Sequence, residues 1–198
     1  AILARTMGIP AICGLGDSIR PEYAGRMAYI DGETGRLVID PDEITLKGFQ
    51  DKYQKQVEMK RLLQTMKGQE DVTLDGKHVN VYCNIGSPAD VDAVLANDGQ
   101  GIGLFRSEFL YLAASDYPTE DEQFAAYKAV AAAMNGKRVI IRTLDIGADK
   151  QADYFNLTKE ENPAMGLRAI RICLNRPEVF RTQLRALYRA SAFGKVAI

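Results

Sequence analysis

The sequence of 198 residues is poor in the residue types that mark metal sites, disulfide scaffolds and membrane anchors. It contains one histidine, three cysteines and no tryptophan. Cys13, Cys83 and Cys173 lie far apart, without the close pairs typical of zinc sites or disulfide frameworks, so we expect reduced thiols and a cytoplasmic location. No apolar run approaches the roughly 20 residues that span a bilayer, so we expect no membrane insertion.

An excess of charge of one sign is also lacking. Lys plus Arg total 25 and Asp plus Glu total 26, which gives a formal net charge of −1. A balanced chain has no general reason to bind nucleic acid or an anionic membrane, so any anion site must be a local cluster. Because Ala1 stands where an initiator methionine is usual, we also expect that the sequence is a piece of a longer protein.

The pattern of the chain changes twice. Residues 1–44 contain a short apolar segment at 11–13, predicted as a strand, and a hairpin signal in "DGETG", which together predict the last part of a small α/β domain. Residues 45–70 have apolar side chains at helical spacing and no proline, which predicts a long linking helix. Residues 71–198 alternate strands with helices, which predicts a parallel sheet.

The strand and helix assignments of residues 71–198 leave two architectures open. Four parallel strands fit the first half of a (β/α)8 barrel or half of a doubly wound sheet, and the end of the sequence inside the apolar "KVAI" favours an incomplete barrel. "GIGLFRSEFLYL" is predicted as one strand. Thr119 is expected to cap one helix and Asn162, followed by a proline, to cap another.

Two arginines interrupt apolar strands in this region. Arg106 follows "GIGLF" and Arg142 follows "RVII". A parallel strand is covered on both faces and tolerates little charge in its middle, so each arginine is expected at the carboxyl end of its strand, where α/β proteins bind ligands. Glu108, Asp145 and Asp149 follow closely and are expected to hold the arginines in fixed rotamers.

A single arginine at a strand end is more often part of a structural ion pair, but two on neighbouring strands favour a binding site. Lys150 and Arg168 follow in the next connection. The four cations predict a site for a multiply charged anion, such as a phosphate ester that also carries a carboxylate, because a guanidinium group grips two oxygens at once. No cluster of His, Cys, Asp and Glu has metal-ligand spacing.

Four motifs in order, "GIGLFRSEFLYL", "DEQFAAYKAV", "VIIRTLDIGADK" and "EENPAMGLRAIRICL", resemble the enzyme I family of the bacterial sugar phosphotransferase system over essentially the whole chain. The resemblance implies a barrel that binds phosphoenolpyruvate with Mg2+. Arg106 and Arg142 would contact the phosphoryl group and the carboxylate, and Lys150 and Arg168 would lie in the surrounding cationic shell. Residues 1–44 would be the tail of a swivelling phosphohistidine domain.

The same resemblance implies partners for the complete protein and leaves alternative functions open. The complete protein is expected to form a homodimer in the cytoplasm and to pass its phosphoryl group to the histidine-containing phosphocarrier protein. The phosphorylated histidine is expected before Ala1 and the Mg2+ ligands after Ile198, so this chain alone is expected to be inactive. A pyruvate phosphate dikinase, a phosphoenolpyruvate synthase, or a non-catalytic phosphate-binding module that lost the chemistry are the alternatives.

Overall fold

The computed structural model describes residue 4, residues 9–147 and residues 152–198, and the chain divides into two units, Ala1–Thr65 and Met66–Ile198. In the first unit, strands β1 (Ala28–Asp31) and β2 (Arg36–Ile39) form the predicted antiparallel hairpin. Gly35 closes the turn with φ +68°, in the left-handed region that glycine enters without strain.

Helix α1 (Glu43–Gln64) begins where Asp42 accepts a hydrogen bond from the Thr45 amide at 2.7 Å. Its second turn stacks Phe49 on Tyr29 of the hairpin, and beyond the third turn its side chains are exposed. The structure therefore has a long helix in this region, which starts two residues before the predicted range of 45–70 and ends within it, at Gln64.

The predicted strand at residues 11–13 is wrong. These residues pair with no strand among the described residues and lie instead against the hairpin turn, where a Cβ atom on Gly32 would come within 3.3 Å of the Ala11 carbonyl oxygen. Three apolar residues do not by themselves specify a strand with which to pair. Here the segment packs closely against the turn at Gly32 and forms no β-sheet hydrogen bonds with the described strands.

The second unit contains a parallel sheet. Its strands are β3 (Cys83–Ile85), β4 (Gly101–Arg106), β5 (Arg138–Arg142) and β6 (Val196–Ala197), and each pairs in parallel with the next. The strand order in space is therefore the order along the chain. This confirms a mixed α/β fold with a parallel sheet of four strands.

Five helices accompany this sheet in the described part of the unit: α2 (Val91–Ala96), α3 (Glu108–Leu112), α4 (Glu120–Ala133), α5 (Ile170–Asn175) and α6 (Pro177–Ala190). Helix α4 starts at a capping box in which Thr119 accepts from the Glu122 amide and Glu122 accepts from the Thr119 amide. The predicted Thr119 cap is confirmed. None of the described helices combines the length and the apolar composition that a bilayer crossing requires.

Two predictions about element boundaries are wrong. "GIGLFRSEFLYL" is not one strand, because β4 ends at Arg106 and α3 begins at Glu108. Asn162 caps no helix, since α5 begins only at Ile170 and the preceding residues form turns. Within this segment the Leu167 amide donates to Glu160 Oε1 and the Ala169 amide donates to the Ile146 carbonyl, each at 2.9 Å, and these non-helical bonds override the local capping signal.

The main core lies between the sheet and helices α4 and α6. Alternate residues of β5 are buried, and α4 and α6 pack against each other and against the sheet. The fully buried side chains of this core include Ile102, Phe105, Val139, Ile141, Tyr127, Val130, Ala186 and Leu187. Truncation of one such large apolar side chain to Ala typically costs about 2–5 kcal/mol. A second buried cluster contains Tyr111 of α3, Leu144 and Ile146 from the segment after β5, and Phe155.

Candidate functional site

Arg106 and Arg142 are the last residues of β4 and β5 and are direct partners in the parallel ladder. Both arginines are therefore at the carboxyl edge of the sheet, side by side, as the sequence predicts. Each is half-buried, because its strand leaves the core at this point. The edge at which two neighbouring guanidinium groups emerge is the region where α/β proteins bind ligands.

Arg142 lies between two carboxylates. Its Nη2 atom contacts Oε1 of Glu108 and lies 3.1 Å from Oδ2 of Asp145. Glu108 belongs to α3, next to the neighbouring strand, and its side chain is only 1% exposed. A buried carboxylate requires a cation to offset its desolvation, so this pair fixes the position of Arg142. The predicted ion pairing is confirmed for Arg142, although Glu108 holds the arginine of the other strand and not Arg106.

Arg168 joins the same cluster through Asp145. Its Nη2 and Nε atoms lie 3.1 and 3.3 Å from Oδ1 of Asp145. The next residue, Ala169, donates its amide to the Ile146 carbonyl at 2.9 Å and has φ +49°, a strained conformation for a residue with a Cβ atom. Such strain is kept where the surrounding contacts require it, so the chain holds Arg168 close to Asp145 at a conformational cost.

Arg106 has a different environment. Its guanidinium carbon lies 4.9 Å from the centre of the Phe109 ring, in a cation–π contact. Its Nε atom, like the Nε atom of Arg142, is buried and has no hydrogen-bond partner among the described residues. A Cβ atom at Gly86 would lie 3.1 Å from the Phe109 ring, so this glycine leaves room for the ring that supports Arg106.

The structure thus brings together three of the four predicted cations, Arg106, Arg142 and Arg168, while Lys150 and Asp149 lie outside the described residues. Three guanidinium groups against the two carboxylates of Glu108 and Asp145 leave one excess positive charge in the described cluster. Two carboxylates hold two of the arginines in place, and the third retains donors for an added anion. Guanidinium groups at such an edge are suited to charge-assisted hydrogen bonds with an anion.

A divalent metal does not fit the described part of this site. Within residue 4 and ranges 9–147 and 152–198, no group of three His, Cys, Asp or Glu side chains is placed to hold a metal ion. Glu108 and Asp145 are engaged by arginines instead. His78 lies in an exposed hairpin, 3.9 Å from Glu70, and its side chain is 72% exposed. We therefore derive no chemical step through a metal from these residues.

A buried hydrogen-bond network behind the site was not predicted from the sequence. It includes Ser107, Gln123, Tyr127 and Gln183, all fully or almost fully buried. Burial raises the pKa of Tyr127 to about 12, so its hydroxyl remains a donor at neutral pH. A signal was present: Gln183 interrupts the apolar face of α6 between Phe180 and Leu187, where only a hydrogen-bonded polar side chain is tolerated.

The fold and the site define a class: a parallel α/β domain with a cluster of arginines at the carboxyl edge of its sheet. Comparison with known families is consistent with this class. The family model described as "PEP-utilising enzyme, PEP-binding domain" matches residues 60–198, and the model described as "PEP-utilising enzyme, mobile domain" matches residues 1–35. The chain belongs to the PEP-utilising enzyme family.

Individual relatives agree with the family. The chain is 48% identical over all 198 residues to the phosphoenolpyruvate-protein phosphotransferase of Staphylococcus carnosus (strain TM300), and 48% identical to that of Staphylococcus aureus (strain MRSA252). It is 46% identical to that of Priestia megaterium. In each comparison the whole of this chain is covered, but only 35% of the relative. The chain therefore spans about a third of the length of these relatives.

Proposed function

We propose that the complete protein is a phosphoenolpyruvate-protein phosphotransferase. It transfers the phosphoryl group of phosphoenolpyruvate to one of its own histidines and then to the histidine-containing phosphocarrier protein of sugar uptake. The observation that carries the proposal is the buried Arg106 Nε, which has no acceptor among the described residues and lies beside Arg142. The identity of 48% over the whole chain to proteins with this name supports it.

In this proposal, Arg106 and Arg142 grip the phosphoryl group and the carboxylate of phosphoenolpyruvate. Arg168 and, by resemblance, Lys150 complete the cationic shell. As the phosphoryl group leaves, negative charge develops on the enolate of pyruvate, and fixed cations stabilise that charge without reorganising. Glu108 and Asp145 hold Arg142 in its rotamer before substrate arrives, so little conformational entropy is lost on binding.

The proposal extends to the architecture. Residues 71–198 form the first half of a phosphoenolpyruvate-binding (β/α)8 barrel, which is supported by four parallel strands in consecutive order. A doubly wound sheet reverses its strand order after about three strands. Residues 1–44 are the tail of the swivelling phosphohistidine domain, and residues 45–70 the linker helix, supported by the exposed side chains along the last turns of α1. Mg2+ bound by ligands outside this chain, a homodimer and a cytoplasmic location belong to the same proposal.

The test is to incubate the full-length protein with phosphoenolpyruvate labelled in its phosphoryl group and to assay for acid-labile, base-stable label on the protein. We expect about one label per chain, and release of that label on addition of the phosphocarrier protein. A parallel incubation with ATP labelled in both its β- and γ-phosphoryl groups should leave the protein unlabelled; label from ATP would favour a dikinase or synthase. Absence of label from phosphoenolpyruvate would refute the proposal.

The 198-residue chain provides a second arm of this test. Its single histidine is His78, which lies in an exposed hairpin, and no described helix begins beside it. We expect no label on this chain when it is incubated alone. Stoichiometric label on His78 would overturn the assignment of the acceptor histidine to the rest of the protein.

A further inference from the structure

Gln183 is the centre of the buried network behind the arginines. Its side chain is fully buried in α6. The two N–H groups of its amide donate to Ser107 Oγ and to the Tyr127 hydroxyl, each at 3.1 Å, and its Oε1 accepts from the Leu144 amide at 2.9 Å. Every polar atom of this amide therefore has a partner, which makes its orientation unique.

Two of these bonds reach the chain directly after the site strands. Ser107 follows Arg106, and its hydroxyl donates to the Arg142 carbonyl at 2.6 Å. Leu144 lies two residues after Arg142 and directly before Asp145. The Gln183 side chain thus bonds to the residue directly after Arg106 and to the segment between Arg142 and Asp145. It links the ends of β4 and β5 close to both arginines.

We propose that Gln183 is a positioning residue for the anion site, which it maintains by holding the Arg106 and Arg142 backbones in register. The inference rests on the proposed function, because the anion is phosphoenolpyruvate. Recognition by two guanidinium groups requires their spacing to be held within about 0.5 Å. Ladder hydrogen bonds end with the strands at these residues. Beyond this point the two segments are joined by the Ser107–Arg142 hydrogen bond, by the Glu108–Arg142 ion pair and by the bonds of Gln183 to Ser107 and Leu144, and Gln183 is the member of this set that comes from a third element.

Gln123 provides a matched control. It is also a buried glutamine, 1% exposed, on the neighbouring helix α4. Its Oε1 accepts from the hydroxyls of Tyr111 and Tyr127, and its Nε2 donates to the Pro118 carbonyl at 2.9 Å. These partners lie outside residues 106–108 and 142–145. Loss of either amide should therefore destabilise the fold to a similar extent, but only loss of Gln183 should disturb the arginines.

The first experiment compares Gln183→Met with Gln123→Met in the full-length protein, since Met keeps the length of the side chain and removes the amide. We expect similar decreases in melting temperature. The dissociation constant for phosphoenolpyruvate, measured by calorimetry, should increase on the order of tenfold for Gln183→Met and stay within about twofold of wild type for Gln123→Met. The rate of transfer from the phosphorylated protein to the phosphocarrier protein should be unchanged in both.

A second pair of variants covers the case in which Gln183→Met does not fold. Ser107→Ala and Tyr127→Phe each remove one buried hydroxyl that accepts from Gln183, but only the Ser107 hydroxyl also bonds the Arg142 carbonyl. We expect a clearly larger loss of phosphoenolpyruvate affinity for Ser107→Ala than for Tyr127→Phe, because Tyr127→Phe leaves the Gln183 bonds to Ser107 and Leu144 in place. Equal affinities within both pairs would overturn the positioning role. Absence of binding by the wild-type protein would instead refute the proposed function, so the two failures are distinguishable.

Discussion

Arg106→Met should separate substrate binding from stability, because Arg106 makes no ion pair with a described carboxylate. Two changes to the fold are expected. The cation–π contact with Phe109, at 4.9 Å, is lost at a cost of about 0.5–1 kcal/mol. In return, the buried Nε–H that has no acceptor among the described residues is removed, which should gain about 1–3 kcal/mol. The variant should therefore be at least as stable as the wild type.

The affinity of Arg106→Met for phosphoenolpyruvate should decrease, although its stability should not. If the Arg106 guanidinium makes two charge-assisted hydrogen bonds to phosphoenolpyruvate at about 1.5 kcal/mol each, their loss costs about 3 kcal/mol. That corresponds to about a hundredfold weaker affinity, at 1.4 kcal/mol per tenfold. Arg142→Met should behave differently, since it also takes a cation away from buried Glu108, and breaking such a pair costs about 3–5 kcal/mol.

The assay is thermal unfolding of the full-length variants together with calorimetric titration by phosphoenolpyruvate. Arg185→Met is the control, because Arg185 is an exposed arginine paired with Glu120 on the helix surface. It should leave both measurements unchanged. The reasoning is refuted if Arg106→Met lowers the melting temperature as much as Arg142→Met does, or if its affinity for phosphoenolpyruvate equals that of the wild type.

Three further predictions concern other parts of the chain. Arg142→Lys should keep the fold but reduce phosphorylation by phosphoenolpyruvate at least about tenfold, because an ammonium group lacks the planar fork; near-normal kinetics with an unchanged melting temperature would remove Arg142 from the site. Ala169→Gly should raise the free energy of unfolding by about 1 kcal/mol by relieving the positive φ, and a lower melting temperature would contradict this. The Lys52 ammonium group holds the pKa of Asp31 well below its ordinary value, so that pair stabilises the fold above about pH 4 and loses its effect as the pH falls. Asp31→Asn should therefore lower the melting temperature at pH 7 and have a progressively smaller effect below pH ~4; a difference that does not vary with pH would argue against the pair.

Local patterns predicted the main elements well, since their causes are local. The "DGETG" turn, the N-cap at Thr119 and the helical spacing of α1 each depend on residues within a few positions of one another. Boundaries failed where non-helical hydrogen bonds, one of them from a distant residue, decide them. The helix expected from Asn162 begins at Ile170, because Glu160 and Ile146 bind the intervening backbone.

The sequence by itself determined that Arg106 and Arg142 lie at the carboxyl ends of parallel strands, because a guanidinium group cannot stay in the buried middle of such a strand. Only the tertiary structure decided which carboxylate holds which arginine. Glu108 is 34 positions from Arg142, and Gln183 is 76 positions from Ser107. Pairings over such distances depend on strand register and helix packing, which no short stretch of sequence encodes, so the network that holds the site appears only when the chain is folded.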